Sequence, residues 1–146
     1  KGSAMSNVVG WREWVRLPEL GIERLQCKVD TGAKNSALHA FEVEPFKKNE
    51  QNWVRFSIHI DETDLTQVKN CEAEVKDIRK VTDSGGNSTD RFFIETILEI
   101  GEHKLPIPVS LTSRDTMAFK MLLGRTALRE ASLIVHSDES FLQGTK

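Results

Sequence analysis

Asp30-Thr31-Gly32-Ala33 sets one carboxyl group in a stretch of small residues, and it is the part of this chain best suited to chemistry. A carboxyl group held in a tight turn can take a proton from a reacting group or give one to it. The same residue types also simply end strands and turn the chain. The context favours chemistry. An alternating apolar stretch runs into Asp30, and Lys34, Asn35 and Ser36 extend the motif to a hydroxyl. Much later comes a second word, Met121-Leu122-Leu123-Gly124-Arg125, in which apolar residues and then Gly-Arg precede a short helical stretch.

Other chemistries find less to work with. His39, His59, His103 and His136 are scattered, and neither His-Glu-x-x-His nor Cys-x-x-Cys occurs, so no metal site is expected. A Gly-x-x-x-x-Gly-Lys-Ser/Thr loop is absent as well, and no nucleotide or other cofactor is expected. The two cysteines, Cys27 and Cys71, are far apart and read as plain thiols of a reducing compartment. A formal net charge of −2 gives no basic field for nucleic acid. No apolar run approaches the roughly 18 residues of a spanning helix. These features point to a cytoplasmic protein with neither nucleic acid nor membrane as partner. Lys1-Gly2-Ser3-Ala4-Met5 reads as a cloning scar, so an export signal removed from the native protein would leave the same sequence.

The elements that must position these words are mostly strands. From Ile22 to Val29, Leu25, Cys27 and Val29 face one way and Arg24, Gln26 and Lys28 the other, the period of a half-buried strand. Trp53 to Ile60 alternates in the same way. Asp61 to Asn70 is polar and reads as a solvated loop. Glu72 to Val81 and Arg91 to Ile100 read as strands joined by Asp83-Ser84-Gly85-Gly86-Asn87-Ser88, a strong turn signal. Gly101-Glu102 makes another corner into Lys104 to Leu111, where Pro106 and Pro108 predict an edge or irregular strand. The best helical stretch is Thr126 to Ala131, with Thr126 as its N-cap. The chain of 146 residues fits one hydrophobic core, divided into a scar and disordered N-terminus over 1–7 and a single domain over 8–146.

The order of strand, Asp-Thr-Gly-Ala, glycine-tipped hairpin, apolar pair, Gly-Arg and helix resembles the retroviral-type aspartic proteases, from about Val8 to Leu142. Closer still is a family of small bacterial and archaeal proteins known as ATP-dependent zinc proteases or RimB-like retropepsins. Asp30 to Ala40 looks like its first motif. Leu111-Thr112-Ser113-Arg114-Asp115-Thr116-Met117, continuing to Arg125, looks like its second.

The resemblance implies an all-β, closed acid-protease barrel with one short C-terminal helix. It implies catalysis by Asp30, Thr31 and Gly32. Two carboxyl groups a few ångströms apart cannot both ionise, so they share a proton, and one activates water while the other protonates the scissile carbonyl. With one Asp-Thr-Gly in the chain, the second Asp30 must come from a twofold partner, giving a homodimer. The hairpin from Lys76 to Arg91 would be the flap over substrate, with Gly85 and Gly86 at its tip. Ala33, Lys34, Ser36, Arg79 and Arg91 would line the substrate site, with Ser36 offering its hydroxyl to the outer carboxylate oxygen. Leu122, Leu123, Gly124 and Arg125 would form the structural second motif, Arg125 tying strands together.

Where the viral enzymes carry an acidic residue after Asp-Thr-Gly-Ala, this chain has Lys34. With Arg79, Lys80, Arg91, Arg114 and Arg125 it would favour an acidic or polyglutamylated peptide. The family's association with ATP-grasp ligases that add glutamates to proteins points to the same substrate and to a ligase as functional partner. Two alternatives stand beside the peptidase: a non-catalytic module of protease fold that binds acidic tails or a ligase, and a metal-dependent peptidase that chelation would silence.

Overall fold

In a computed structural model of the chain, residues 7–61, 63–82, 84–112 and 119–144 are described. Residues 1–6, the part of the second motif from 113 to 117 (with Arg114) and Asp83 of the expected turn lie outside them. The strands are β1 (Val8–Val9), β2 (Arg12–Leu17), β3 (Ile22–Val29), β4 (Ser36–His39), β5 (Phe41–Lys48), β6 (Gln51–His59), β7 (Val68–Thr82), β8 (Ser88–Ile100), β9 (His103–Thr112), β10 (Met121–Leu123) and β11 (Ile134–Val135). A single short helix, α1 (Arg125–Glu130), follows β10.

Hydrogen bonding runs β2-β3-β10-β4-β9-β8, and β8 closes the ring on β2 at Arg16↔Glu99. The Arg16 Nε to Glu99 Oε1 ion pair of 2.8 Å reinforces this seam. The result is the expected closed, all-β barrel. Its interior is filled from alternate positions: Leu17, Leu25, Leu38, Leu98, Ile107 and Leu123 are all fully buried. Burying each such side chain contributes about 2 kcal/mol. β7, β6 and β5 extend from β8 as an antiparallel wing.

Sequence periodicity located β3 to the residue, but three expectations need correction. The loop expected over 61–70 ends at Gln67, because Val68, Lys69 and Asn70 pair with His59, Ile58 and Ser57 of β6. Pairing to a neighbouring strand outweighs local polarity there. Strand β9 is interior at Val109 and Ser110, where it lies between β4 and β8. Only β8 flanks it at Pro106 and Pro108, so the missing N–H groups cost nothing on the open side and the edge reading holds locally. Thr126 does not cap α1. Gly124 occupies that position without a side-chain cap, and the Thr126 hydroxyl donates instead to Lys34 O at 2.9 Å.

Both cysteines are buried free thiols, and burial pushes Cys27 up to about 12 and Cys71 up to about 11. His59 stacks on Phe41 with ring centroids 4.4 Å apart. Among the described residues no group of three His, Cys, Asp or Glu is placed to hold a metal ion. No described helix is long and apolar enough to cross a membrane.

Candidate active site

Asp30 stands one residue past the end of β3. Its backbone N–H donates to Leu123 O at 2.9 Å, so the apolar pair of the second motif fixes where the carboxyl group emerges. β10 is only three residues long, yet it is wedged between β3, to which it runs parallel, and β4, to which it runs antiparallel. Met121 and Leu123 are buried and Leu122 turns towards the Asp30 cleft. Within the turn, Gly32 N–H donates to Asp30 Oδ1 at 3.0 Å and Ala33 N–H to Asp30 O at 3.2 Å. The carboxyl group is therefore oriented by its own loop.

The second motif clamps that loop from the other side. Arg125 N–H donates to Ala33 O at 2.8 Å, Thr126 N–H to Lys34 O at 3.0 Å, and Arg125 Nη1 to Thr31 O at 3.1 Å. Arg125 thus ties the loop to α1. Ser36 is a correction among the candidate substrate contacts. It is buried, and its Oγ accepts from Gly124 N–H at 3.0 Å, so it positions the two motifs against each other without reaching substrate.

Gly124 packs directly on that loop. A Cβ there would lie 2.6 Å from the backbone carbon and oxygen of Asn35 and 3.0 Å from Ala33 O. These are backbone atoms and cannot swing aside. Gly124→Ala is expected to cost about 2 kcal/mol, within the usual range for overpacking. Urea unfolding checks this, and a cost below about 0.5 kcal/mol would mean the motifs are not in register.

Asp30, Ala33, Lys34, Asn35, Leu122 and, from the β7–β8 hairpin, Arg91 line a cleft of about 460 Å³. Neither Lys34 nor Arg91 has an ion-pair partner among the described residues, and Asp30 is the one acidic group in the lining. Arg91 lies directly across from Arg79, a like-charge pairing that disfavours the bare hairpin. Arg79 is neutralised by Asp77 at 2.9 Å and lies over the ring of Phe93, which also lines the cleft. Lys80 is paired with Asp90 at 3.1 Å. Of the expected cations among the described residues, Lys34 and Arg91 line the cleft, Arg79 lies over Phe93 beside it, and Arg125 is turned to Thr31 O. Gly85 and Gly86 sit at the exposed hairpin tip and do not line the cleft, while Thr31 and Gly32 are exposed beside Asp30.

Glu13 holds the site from the other end of the chain, at a position the strand motifs do not mark. Glu13 faces inward on β2 in line with Val15 and Leu17 and is fully buried. Its carboxyl oxygens accept from Gly10 N–H at 2.6 Å, Leu142 N–H at 2.9 Å and Gln143 N–H at 3.0 Å. Around it the two ends of the chain interlock. β1 pairs with β11, Trp11 N–H donates to Glu139 O, and Trp14 stacks on Phe141. Trp11 O in turn accepts from Val29 N–H at 2.8 Å, one residue before Asp30. A carboxyl group at a core-facing position of an alternating strand was the available clue.

Residues 8–146 match the family model described as RimB-like, retropepsin-like aspartic endopeptidase RimB. The chain is 35% identical over 139 residues to a probable alpha-L-glutamate ligase of Shewanella pealeana, covering 95% of this chain and 30% of that protein. It is 39% identical over 127 residues to a probable alpha-L-glutamate ligase of Desulfotalea psychrophila, covering 87% of this chain and 27% of that protein. The chain thus spans under a third of the length of these curated relatives. A crystal structure of Lpg0085, a Legionella pneumophila protein of unknown function, superposes with a TM-score of 0.77 at 26% identity, covering 93% of this chain and 97% of that one.

Proposed function

The chain belongs to the RimB-like family of retropepsin-like aspartic endopeptidases, and from that premise we propose that it hydrolyses peptide bonds by pairing Asp30 with Asp30 of a second copy. The observation that carries the proposal is the Asp30 carboxyl group, oriented by Gly32 N–H at the floor of an open, cation-lined cleft. In such a dyad one carboxylate takes a proton from water as the water oxygen bonds to the scissile carbonyl carbon, and the other carboxyl group protonates the carbonyl oxygen. Proton transfer to the amide nitrogen then lets the C–N bond break, releasing an acid and an amine. Thr31, exposed next to Asp30, would hydrogen-bond across the pair and hold it rigid. The β7–β8 hairpin serves as a flap that excludes water from the cleft.

Lys34 and Arg91, which have no ion-pair partner among the described residues, support an acidic substrate, and a polyglutamate tail fits them. Relatives named as glutamate ligases make a ligase the natural functional partner. Peptides ending in glutamate runs should be cleaved in preference to glutamine isosteres, and Arg91→Gln should reduce that preference roughly tenfold, the loss of one charge-assisted contact. Equal cleavage of both peptides by the parent protein would remove acidity from the specificity. A second reading, a silent module presenting acidic tails to a ligase, is favoured by the same relatives, in which the matched stretch is 30% or less of the protein. It predicts saturable binding of the glutamate peptide with no cleavage.

A further inference from the structure

The strand registers show what continues the Asp30 cleft along the outer face of the sheet. Phe93 of β8 pairs with Ser110 of β9, Ser110 with Ala37 of β4, and Ala37 with Leu122 of β10. All four line the cleft. The same row runs on, because Leu122 pairs with Lys28 of β3, and Lys28 with Arg12 of β2. Lys28 is exposed between the buried Cys27 and Val29, so it shares the face of Leu122, which stands between the buried Met121 and Leu123. Neighbouring strands lie about 4.8 Å apart, which puts the backbone of Lys28 about 5 Å and that of Arg12 about 10 Å past Leu122. Roughly three residues of extended peptide span that distance.

Three observations set these two cations apart from ordinary solvated charges. Neither has an ion-pair partner among the described residues. They stand directly opposite each other across β2 and β3, a like-charge pairing that disfavours the bare sheet, as Arg79 and Arg91 do at the other end of the cleft. Arg12 is also held in place, its guanidinium 4.7 Å from the ring centre of Trp11 and 4.8 Å from that of Phe141. A side chain fixed in this way loses little freedom when an anion arrives. We propose that Lys28 and Arg12 are specificity-determining residues that extend the Asp30 cleft into a cationic track, which reads acidic residues remote from the scissile bond. The inference rests on the reading of an acidic substrate in the Asp30 cleft and adds a length requirement to it. One or two carboxylates satisfy Lys34 and Arg91, and only a longer acidic run reaches Lys28 and Arg12. The track is fixed relative to the reacting group, because Lys28 lies two residues before Asp30 and Val29 N–H is tied to Trp11 O at 2.8 Å.

The test is fluorescence anisotropy of labelled hexapeptides bound to the whole chain carrying Asp30→Asn, so that binding is read apart from cleavage. The peptides carry six glutamates, or two at either end with glutamine elsewhere. The six-glutamate peptide should bind roughly tenfold tighter than either two-glutamate peptide, the product of two further partly exposed ion pairs at about threefold each. Lys28→Gln, at an exposed position, should remove about threefold of that gain, and Lys28→Gln with Arg12→Gln nearly all of it. The tighter of the two-glutamate peptides should bind both variants as before. Lys47→Gln, at an exposed position of the wing strand β5 that belongs to neither the cleft nor the row, should change nothing. Should Arg12→Gln lower the unfolding temperature, Lys28→Gln alone decides. Equal affinity for six and two glutamates, a gain untouched by Lys28→Gln, or an equal loss in Lys47→Gln would overturn the track. The peptidase reading is decided separately, by whether the parent protein cuts the same peptides. Cleavage with no length gain removes only the track, and a length gain that Lys28→Gln reduces supports the track in a protein that cuts nothing.

Discussion

Asp30→Asn is expected to abolish peptide hydrolysis, by on the order of 10⁴-fold or more, while the protein still folds. The loss is large because the carboxyl group is asked both to take and to give a proton, and a carboxamide does neither. The fold should survive because Asn is nearly the same size and its side-chain oxygen can still accept from Gly32 N–H, as Asp30 Oδ1 does at 3.0 Å. The backbone anchor from Asp30 N–H to Leu123 O is untouched by the change. The measurement is cleavage of a glutamate-run peptide from pH 4 to 8, with and without chelator. If the dyad is built from two copies, adding the Asn variant to the parent should depress activity by more than dilution, because each mixed pair is dead. Full activity in Asp30→Asn would remove Asp30 from the chemistry. Activity that chelator abolishes and zinc restores would replace the mechanism with a metal-dependent one.

Glu13→Ala should be the most destabilising single change outside the barrel core, costing roughly 3–5 kcal/mol. Three backbone N–H groups, those of Gly10, Leu142 and Gln143, would lose their acceptor in a site where Glu13 is fully buried. Each orphaned donor carries a desolvation penalty, and together they outweigh the removal of one buried carboxyl group. The damage should be local first. Amide exchange at Leu142 and Gln143 should accelerate before that of the barrel strands, because the C-terminal segment loses its anchor to β2. Activity should fall alongside, since Trp11, gripped by the same clasp, holds Val29 beside Asp30. A cost under about 1 kcal/mol in urea unfolding would mean that the clasp is held by the Trp14–Phe141 stack and the β1–β11 pair alone.

The local signals read well and the distant ones did not. β3 was legible because Leu25, Cys27 and Val29 alternate with polar neighbours and the run stops at an Asp-Thr-Gly turn. The two motifs were legible as words, but not the bonds between them. Arg125 N–H to Ala33 O and Gly124 N–H to Ser36 Oγ join residues some ninety positions apart, and no local pattern encodes such pairing. The family resemblance implies that the Ser36 hydroxyl serves the outer carboxylate oxygen, whereas in the packed barrel Ser36 is buried and its Oγ accepts from Gly124 N–H. Thr126 looked like a cap, but Gly124 had already taken that position through its close packing on Asn35.

The sequence by itself determined the alternation of the strands, the Asp30 turn, the hairpin glycines and the family resemblance, all of them set by residue types within a few positions of each other. Only the tertiary structure decided which of the described cations line the Asp30 cleft, and that Glu13 clasps segments from early and late in the chain. Those outcomes depend on which groups lose water and which partners arrive from far along the chain. Desolvation and long-range pairing are properties of the packed barrel, which the order of residues specifies only through folding.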